Sequence, residues 1–514
     1  MTTHKESLLI LDFGSQYTQL IARRIREEGV YCEIHPFNMP LEAIRAFQPK
    51  GIILSGGPSS IYAENAPMIS REVIELGPPV LGICYGLQLI ATLMGGKVAR
   101  AAEREYGRAQ LELAQADSPL WRDVPVSSVV WMSHGDRLES LPEEFEIIGR
   151  TDNSPYAAIC KQEQRLFGIQ FHPEVVHTEA GRQILRNFVF DICDCEGGWT
   201  MENFCEQTVR EVRERVGSGK VLLGLSGGVD SSVLALLLHR ALGDRLKCLF
   251  VDNGLLRLGE SDEVFHTFHD RFHLNFERYD ASERFLSRLA GVDDPEQKRR
   301  IIGDEFVKVF FSCAGEFDFL AQGTLYPDVI ESVSTKGPSD TIKTHHNRVP
   351  EILELDRQGK VIEPLKELFK DEVRRLGAQL GLPESIIRRH PFPGPGLAVR
   401  ILGDVTRERL DTLRKADAIF ISELRTSGCY DQVWQAFAVL LPVRSVGVMG
   451  DERTYGNVIT LRAVSSLDGM TADWAELPHN LLGRVASRIV NEVPGVGRVC
   501  YDVTSKPPAT IEWE

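Results

Sequence analysis

Short apolar runs that end in glycine-containing turns and lead into amphipathic helices recur along the chain. Residues 51–54 lead into SGGP, residues 80–83 lead into CYGLQL, and residues 221–225 lead into SGGVDSS. Strands that alternate with helices pair mainly in parallel, because each helix carries the chain back across the sheet. The sequence therefore predicts an α/β protein with two doubly wound, mainly parallel sheets. After residue 400, a helix and alternating apolar segments predict a small α+β domain.

Two stretches interrupt the alternation of strands and helices, and we expect domain boundaries near them. One is CDCEGGWT at residues 193–200, and the other is RRHPFPGPGLAVR at residues 388–400. A length of 514 residues is consistent with about three domains at roughly 100–200 residues each. The predicted domains are residues 1–195, 196–389 and 390–514.

Two patterns in the middle segment predict a helix and a loop. The apolar spacing of residues 364–376, which start with proline, predicts a helix. Residues 333–349 are polar and contain Gly337-Pro338, so we expect a loop there that acts as a lid and carries Lys343.

The charge and cysteine content limit the partners and the compartment. With 73 acidic against 58 basic residues, the net charge is −15, which argues against nucleic acid and anionic membranes as general partners. The apolar runs are too short to cross a bilayer, and the N-terminal residues do not resemble a signal peptide. Ten cysteines without zinc-type spacing are typical of a reducing compartment, so we expect a cytoplasmic enzyme.

A candidate nucleophile lies between a strand and a helix, in Gly82-Ile83-Cys84-Tyr85-Gly86. Flanking glycines permit a sharp turn that exposes the thiol, and a helix N-terminus favours the thiolate. His172 is the candidate base, and Glu174 would orient it. The backbone N–H groups of Gly57 and Tyr85 could hold an oxyanion. The alternative is a structural cysteine in a buried segment, which is the commoner role of a single cysteine.

The segment SGGVDSS at residues 226–232 is typical of a phosphate-binding loop. Its glycines let backbone N–H groups approach an anion, and the following helix adds partial positive charge. It is not a Walker A loop, since the characteristic lysine is absent. A carboxylate beside phosphates is repulsive unless Mg²⁺ lies between them, which makes Asp230 the candidate metal ligand. The alternative is a glycine turn that only caps a helix.

These motifs resemble those of two known families. SGGP, GICYGLQL and GIQFHPE resemble the class I glutamine amidotransferase domain, which implies that Cys84 attacks glutamine, His172 transfers protons and Glu174 orients His172. His134, in a family-like segment, is expected to be structural or to line the substrate. SGGVDSS resembles the PP-loop ATP pyrophosphatases, which cleave ATP between its α- and β-phosphates. That resemblance implies ATP binding, with Mg²⁺, by Ser226, Gly227, Gly228, Val229, Asp230, Ser231, Ser232, Val251 and Lys366.

Resemblance over nearly the whole chain extends to the glutamine-hydrolysing GMP synthetases. It rests on QGTLYPDVIES, IKTHHN, HPFPGPGLAVR, LPVRSVGVMGD and KPPATIEWE, among others. It implies that ammonia from glutamine aminates xanthosine 5′-monophosphate (XMP) after adenylylation, and that the chain forms a homodimer through its C-terminal domain. The implied XMP-binding residues are Arg299, Gly394, Gly396, Lys506 and Glu512. The alternative is another glutamine-dependent PP-loop enzyme, such as NAD synthetase.

Overall fold

The computed structural model describes residues 6–333, 350–449, 452–466, 469 and 471–514. Residues 334–349 of the predicted lid, with Lys343, lie outside the described residues. The described chain forms two compact units. One contains residues 6–204 and 327–333, and the other contains residues 205–326 and those from 350 onwards. The predicted boundaries near residues 196 and 390 remain predictions.

The first unit is built on a nine-stranded mixed sheet in the order β2-β1-β3-β4-β9-β8-β7-β5-β6. Its strands are β1 (Ser7–Asp12), β2 (Tyr31–Pro36), β3 (Gly51–Leu54), β4 (Val80–Ile83), β5 (Lys97–Leu113), β6 (Ser127–Ser140), β7 (Glu146–Arg150), β8 (Ala158–Lys161) and β9 (Leu166–Ile169). Its helices are α1 (Thr18–Glu27), α2 (Leu41–Phe47), α3 (Arg71–Ile74), α4 (Tyr85–Leu93) and α5 (Gly181–Asn187), with shorter helical turns at Pro119–Trp121, Gln162–Gln164 and Phe188–Ile192.

Parallel pairing covers half of this sheet. Strands β2, β1, β3, β4 and β9 are parallel, whereas β8, β7, β5 and β6 continue the sheet with antiparallel pairs. The parallel strands are covered on both faces, so β3 and β4 are buried throughout. This burial explains why both appear in the sequence as continuous apolar runs.

The second unit begins with a parallel five-stranded sheet in the order β12-β11-β10-β13-β14. Its strands are β10 (Val221–Gly224), β11 (Leu246–Asp252), β12 (Phe276–Asp280), β13 (Phe319–Ala321) and β14 (Val361–Ile362). The helices along this part of the chain are α6 (Met201–Val216), α7 (Val229–Leu242), α8 (Glu260–Phe265), α9 (Ser282–Leu289), α10 (Pro295–Cys313), α11 (Tyr326–Val333), α12 (Pro350–Arg357), α13 (Lys370–Gln379) and α14 (Glu384–Ile387), with turns at Gly243–Arg245 and His266–Arg271.

A second, smaller sheet follows in the same unit, as the α+β prediction requires. Its strands are β15 (Gln435–Met449), β16 (Glu452–Ser465), β17 (Asp473–Trp474) and β18 (Val496–Tyr501), and its helices are α15 (Arg407–Thr426) and α16 (His479–Glu492), with turns at Gly396–Arg400 and Tyr430–Gln432. Strand β16 pairs antiparallel with β15 and β17 and parallel with β18. The predicted fold class, two α/β sheets and a smaller α+β part, is confirmed.

The predicted helix over residues 364–376 is wrong in its first half. The chain makes turns at residues 364–367, and α13 begins only at Lys370. The Glu372 carboxylate accepts a hydrogen bond of 2.9 Å from the Phe369 backbone N–H, which satisfies a donor that precedes the helix. Proline at the start of an apolar segment therefore marks a turn here. No helix among the described residues is both long and apolar enough to span a membrane.

Candidate active sites

Cys84 lies where β4 ends and α4 begins, and its own backbone is strained. Its φ is 53° and its ψ is −103°, a region that residues other than glycine rarely adopt. The Cys84 N–H donates to the Ile169 carbonyl on the adjacent strand at 2.7 Å. The side chain is 5% exposed at the N-terminus of α4. This geometry holds the thiol at the carboxyl edge of the parallel strands.

The glycines on either side of Cys84 are required by close packing of α4 on the sheet. A Cβ atom on Gly82 would lie 2.5 Å from the Gly86 backbone, and one on Gly86 would lie 2.3 Å from the Leu54 carbonyl oxygen. Neither glycine has a positive φ. The sequence predicts a sharp turn at this position, but the strained residue is Cys84 itself.

His172 and Glu174 form a buried pair beyond the end of β9. His172 Nδ1 lies 2.7 Å from Glu174 Oε1, and both side chains are almost fully buried. Burial alone would lower the pKa of His172. The negative charge of Glu174, together with hydrogen bonds to Cys84 and Glu174, outweighs that effect and raises the pKa well above its usual value. Because a carboxylate only accepts hydrogen bonds, Nδ1 carries a proton and Nε2 is left for proton exchange.

The loop after β3 closes against this histidine. A Cβ on Gly56 would lie 3.0 Å from His172 Cε1, and one on Gly57 would lie 2.8 Å from the Phe13 carbonyl oxygen. Within residues 6–333, the N–H groups of Gly57 and Tyr85 donate to no other described residue. Both follow adjacent strands at the same sheet edge, so two free donors are available near the thiol.

His134 occupies a separate buried cluster. Its Nε2 is 3.1 Å from Glu105 Oε2, and its Nδ1 is 3.1 Å from the Asp136 carbonyl oxygen. Thr151 and Ser154 also donate to the Glu105 carboxylate. Burial would raise the pKa of Glu105, but these hydrogen bonds and the charge of His134 lower it. Both nitrogens of His134 are engaged, which agrees with a structural role.

The SGGVDSS segment follows β10: residues 226–228 form a turn, and residues 229–232 form the first turn of α7. Gly227 has a φ of 76°, and the Ser226 N–H donates to Ser231 Oγ at 3.2 Å. Ser231 Oγ also donates to the Gly228 carbonyl, and Ser232 is fully buried at the start of the helix. Val251 lies near the end of the adjacent strand β11 and is also buried. The SGGVDSS segment and Val251 therefore lie at the same edge of the sheet.

One carboxylate oxygen of Asp230 has a hydrogen-bond partner, and the other has none among the described residues. Its Oδ2 lies 2.5 Å from Lys370 Nζ, and its buried Oδ1 has no hydrogen-bond partner within the described ranges. Those ranges contain no cluster of three or more His, Cys, Asp or Glu side chains able to hold a metal ion. An unpaired carboxylate oxygen is a donor that Mg²⁺ prefers, so Asp230 would fit the predicted role of metal ligand.

Lys370 is a basic residue that the structure brings to the SGGVDSS segment and that the motifs did not predict. The predicted residue, Lys366, lies in the turn before α13 and is exposed. Lys370 is the first residue of that helix and follows Lys366 by one helical turn in the sequence. The signal in the sequence that could have identified Lys370 is a second lysine four residues after Lys366.

Arg389 was also missed, and it contacts the same loop from the segment before HPFPGPG. Its guanidinium donates to the Gly227 carbonyl at 3.1 Å and to Glu260 at 3.0 Å, and a second nitrogen donates to Glu263 at 2.7 Å. The pair with Glu260 is largely buried. Arg389 therefore fixes the orientation of a peptide unit within the loop.

Glu512 is bound to other protein groups. Arg400 contacts both of its carboxylate oxygens, at 2.8 and 3.0 Å, and Gln435 Nε2 donates to one of them at 2.7 Å. The Arg400 side chain is fully buried, and its guanidinium carbon lies 4.1 Å from the centroid of the Phe437 ring. The sequence predicted Glu512 and did not predict Arg400 or Gln435.

The other predicted nucleotide residues lie on several elements. Lys506 Nζ donates to the Gly469 carbonyl at 2.7 Å, and Arg299, on α10, pairs with Glu296. Gly396 has a φ of 63°, and a Cβ there would lie 2.4 Å from the Leu255 carbonyl oxygen. Gly394 precedes it in the same proline-rich turn. The lysine and the arginine therefore each have a protein partner in this structure.

The segment that contains these carboxyl-terminal residues is held by three fully buried cations. Each is paired with a carboxylate of residues 502–514. The pairs are Lys298 with Glu514 at 2.5 Å, Arg400 with Glu512 at 2.8 Å and Arg462 with Asp502 at 3.2 Å. This segment, which we call the anchored tail (residues 502–514), is thus part of the folded unit.

Comparisons with curated proteins cover the whole chain. It is 56% identical over 517 residues to GMP synthase (glutamine-hydrolysing) of Brachyspira hyodysenteriae, with 100% of both chains covered. It is 58% identical over 518 residues to the Wolinella succinogenes enzyme of that name, with 99% of both covered. The Thermomicrobium roseum enzyme of that name is also 58% identical, over 99% of this chain and 97% of that one. The chain belongs to the glutamine-hydrolysing GMP synthase family.

Three family models divide this GMP synthase family chain in the order that the motifs predicted. Glutamine amidotransferase class-I matches residues 9–192, NAD synthase matches residues 200–283, and GMP synthase C terminal domain matches residues 422–513. The NAD synthase match contains the SGGVDSS loop. The third match and the full-length relatives favour GMP synthesis over the alternative, NAD synthetase.

Proposed function

We propose that this chain makes GMP from XMP, ATP and glutamine, with glutamate, AMP and pyrophosphate as the other products. The main support for glutamine hydrolysis is the strained Cys84 beside the buried His172–Glu174 pair. The synthetase half is supported by the loop between β10 and α7 and by full-length similarity to GMP synthases.

In the glutaminase half, His172 takes the thiol proton and the Cys84 sulfur attacks the side-chain amide carbon of glutamine. The N–H groups of Gly57 and Tyr85 stabilise the resulting oxyanion. His172 then protonates the departing nitrogen, so that ammonia leaves and a glutamyl thioester remains. His172 next removes a proton from water, which attacks the thioester and releases glutamate and Cys84. Glu174 holds the imidazole in the required tautomer and stabilises its charged form.

In the synthetase half, the XMP oxygen at C2 attacks the α-phosphorus of ATP, and pyrophosphate leaves. Ammonia then attacks C2, and AMP departs with the oxygen. The backbone amides and hydroxyls of residues 226–232 bind the phosphates, Lys366 adds positive charge, and Val251 contacts adenine. When bound through Asp230, Mg²⁺ supplies charge neutralisation for the phosphates.

XMP binding is assigned to Arg299, Gly394, Gly396, Lys506 and Glu512. A lysine suits the nucleotide phosphate, and a carboxylate suits purine N–H or ribose hydroxyl groups. The bidentate contact with Arg400 supports the role of Glu512, because it fixes the plane of the carboxylate.

We also propose a homodimer through the C-terminal domain (residues 390–514), after a glutaminase domain (1–195) and a PP-loop domain (196–389). Beyond the irregularity between Leu440 and Arg444, β15 and β16 form a two-stranded ribbon. Its exposed apolar side chains include Val446, Val448 and Tyr455, and Val443, just before it, is also exposed. A two-stranded ribbon with an exposed apolar surface is poorly stable alone, so we propose that a second copy of the chain packs against this surface.

The cytoplasm, where ATP and glutamine are abundant, is the proposed location.

The deciding experiment supplies purified protein with XMP, ATP, Mg²⁺ and glutamine labelled with ¹⁵N in its side-chain amide. We expect labelled GMP and AMP in equal amounts. Nicotinate adenine dinucleotide in place of XMP should give no AMP. Glutamine-dependent AMP release with that compound and not with XMP would instead assign the chain to NAD synthesis.

A further inference from the structure

Gln170 lies beside the candidate nucleophile and is not used by the mechanism above. It follows β9 directly, is 1% exposed, and its Nε2 lies 3.6 Å from Cys84 Sγ. We infer that Gln170 is a further catalytic residue of the glutaminase, whose side-chain N–H donates to the Cys84 thiolate and stabilises it. This inference rests on the proposed role of Cys84 as the nucleophile.

The orientation of the Gln170 amide follows from its neighbours. Gln88 Nε2 donates to the Asp136 carbonyl oxygen at 2.8 Å, and a carbonyl only accepts, so that end of Gln88 is the nitrogen. The same nitrogen lies 3.5 Å from Gln170 Oε1. Gln170 therefore presents its oxygen to Gln88 and its NH₂ group to the sulfur. Gln88 and Asp136 together prevent the amide flip that would turn an oxygen towards the thiolate.

The two protonation states of the sulfur need different partners. In the thiol state, the S–H group can donate to the Ser133 carbonyl oxygen, which lies 3.7 Å from Sγ. In the thiolate state that oxygen is repulsive, so the sulfur needs donors. Gln170 is a neutral donor that remains a donor at every pH. Because Gln170 and His172 are buried, little water is available to replace the lost hydrogen bond.

Several titratable groups lie on the elements around this sulfur and will contribute to any pH profile. His172 and Glu174 follow β9, Tyr17 lies just before α1 with its ring 5.3 Å from that of His172, and His134 on β6 pairs with Glu105 on β5. Gln170 does not titrate, so replacing it shifts the profile without removing any of these groups.

The test measures the pH dependence of Cys84 alkylation by iodoacetamide, followed by mass spectrometry in the full chain. Gln170→Met keeps the side-chain length and removes the donor, and Gln170→Glu keeps the shape and adds a negative charge. We expect the midpoint of alkylation to move to higher pH and the rate at pH 7 to fall about 10- to 100-fold in Gln170→Met, and further in Gln170→Glu. Glutamine hydrolysis should fall in parallel.

Controls separate this inference from the proposed function. Gln164→Met, at an exposed turn, should match the parent, and Cys84→Ser gives the background of alkylation. GMP formation from ammonium salts should persist in both Gln170 variants, which shows that the synthetase half is folded. An unchanged alkylation profile in a folded Gln170→Met or Gln170→Glu variant would overturn the inference. Glutamine hydrolysis that survives in Cys84→Ser would instead overturn the proposed function.

Discussion

The Asp230 carboxylate lies 2.5 Å from the Lys370 ammonium group, where the first turn of α7 meets the first residue of α13. One oxygen of Asp230 thus has a protein cation, and the other is buried with no partner among the described residues. In the proposed ATP site, this ion pair would offset the repulsion between the Asp230 carboxylate and the phosphates. It also leaves one acceptor free for a metal ion.

Replacing either member of this pair should impair the synthetase reaction. We expect Asp230→Asn to reduce GMP formation about 100-fold with either glutamine or ammonium salt, because both routes use the adenylylated intermediate. Lys370→Met should raise the KM for ATP about tenfold or more. The exposed Lys360→Met is the matched control. Unaltered Mg²⁺ and ATP dependence in Asp230→Asn would contradict the assignment.

Removing the nucleophile should separate the two half-reactions. Cys84→Ala is expected to lower glutamine-dependent GMP formation by about 1,000-fold or more and to leave ammonia-dependent formation intact, since the thioester cannot form. Steady-state assays with each nitrogen source check this. If a folded Cys84→Ala variant loses both activities, the scheme of two separate sites is wrong.

Gly86→Ala should destabilise the glutaminase unit. The added methyl group would lie 2.3 Å from the Leu54 carbonyl oxygen, so α4 must move away from β3 at a cost of about 1–3 kcal/mol. Gly303→Ala in α10 meets no atom within 4 Å and should be neutral or slightly stabilising. Denaturant titration of both variants measures the difference, and equal effects would refute the packing argument.

The C-terminal sheet should lose stability in acid because of His390. Burial, with a smaller opposing contribution from the Tyr430 carbonyl, lowers the pKa of His390 to about 4. The unfolded chain therefore takes up the proton first, and stability falls as the pH drops from about 6.5 towards 4, by about 3 kcal/mol in total. His390→Gln should have a flatter profile than the parent. The exposed His479→Gln should keep the parent's dependence of stability on pH. If His390→Gln also keeps that dependence, the prediction is wrong.

Arg400→Met should weaken XMP binding and leave ATP binding unchanged. Without the guanidinium, the Glu512 carboxylate loses its bidentate partner, so we expect the KM for XMP to rise at least about tenfold. Stability should fall by about 3 kcal/mol for the same reason. Arg357→Met, on the exposed face of α12, is the control. Equal increases in both KM values would indicate general disruption of the unit.

The elements that could be predicted from the sequence are those whose burial dictates their composition. Strands β3 and β4 have no solvent-facing side, so they appear as apolar runs at the predicted residues 51–54 and 80–83. The sharp turn at Cys84 could be predicted because close packing requires glycine at Gly82. The phosphate-binding motif at residues 226–232 could be predicted because a positive φ favours glycine at Gly227.

What could not be predicted depends on residues far apart in the chain. Asp230 and Lys370 are separated by 140 positions, and Arg400 and Glu512 by 112. Local periodicity contains no information about such partners, and a charged residue has the same local pattern whether it is solvated or paired. The turn at residues 364–367 was missed because proline is equally suited to a first helical turn and to a β-turn.

The anchored tail has one further consequence, for the dynamics of the protein. Its three carboxylates are paired with cations on α10, in the Gly396–Arg400 turn and on β16, and each cation is fully buried. Partial release of the tail would leave at least one of these charges unpaired inside the protein, so gradual fraying is unfavourable. Residues 502–514 should therefore open as one cooperative unit with the sheet that they cover. Their amide hydrogens should exchange with solvent together.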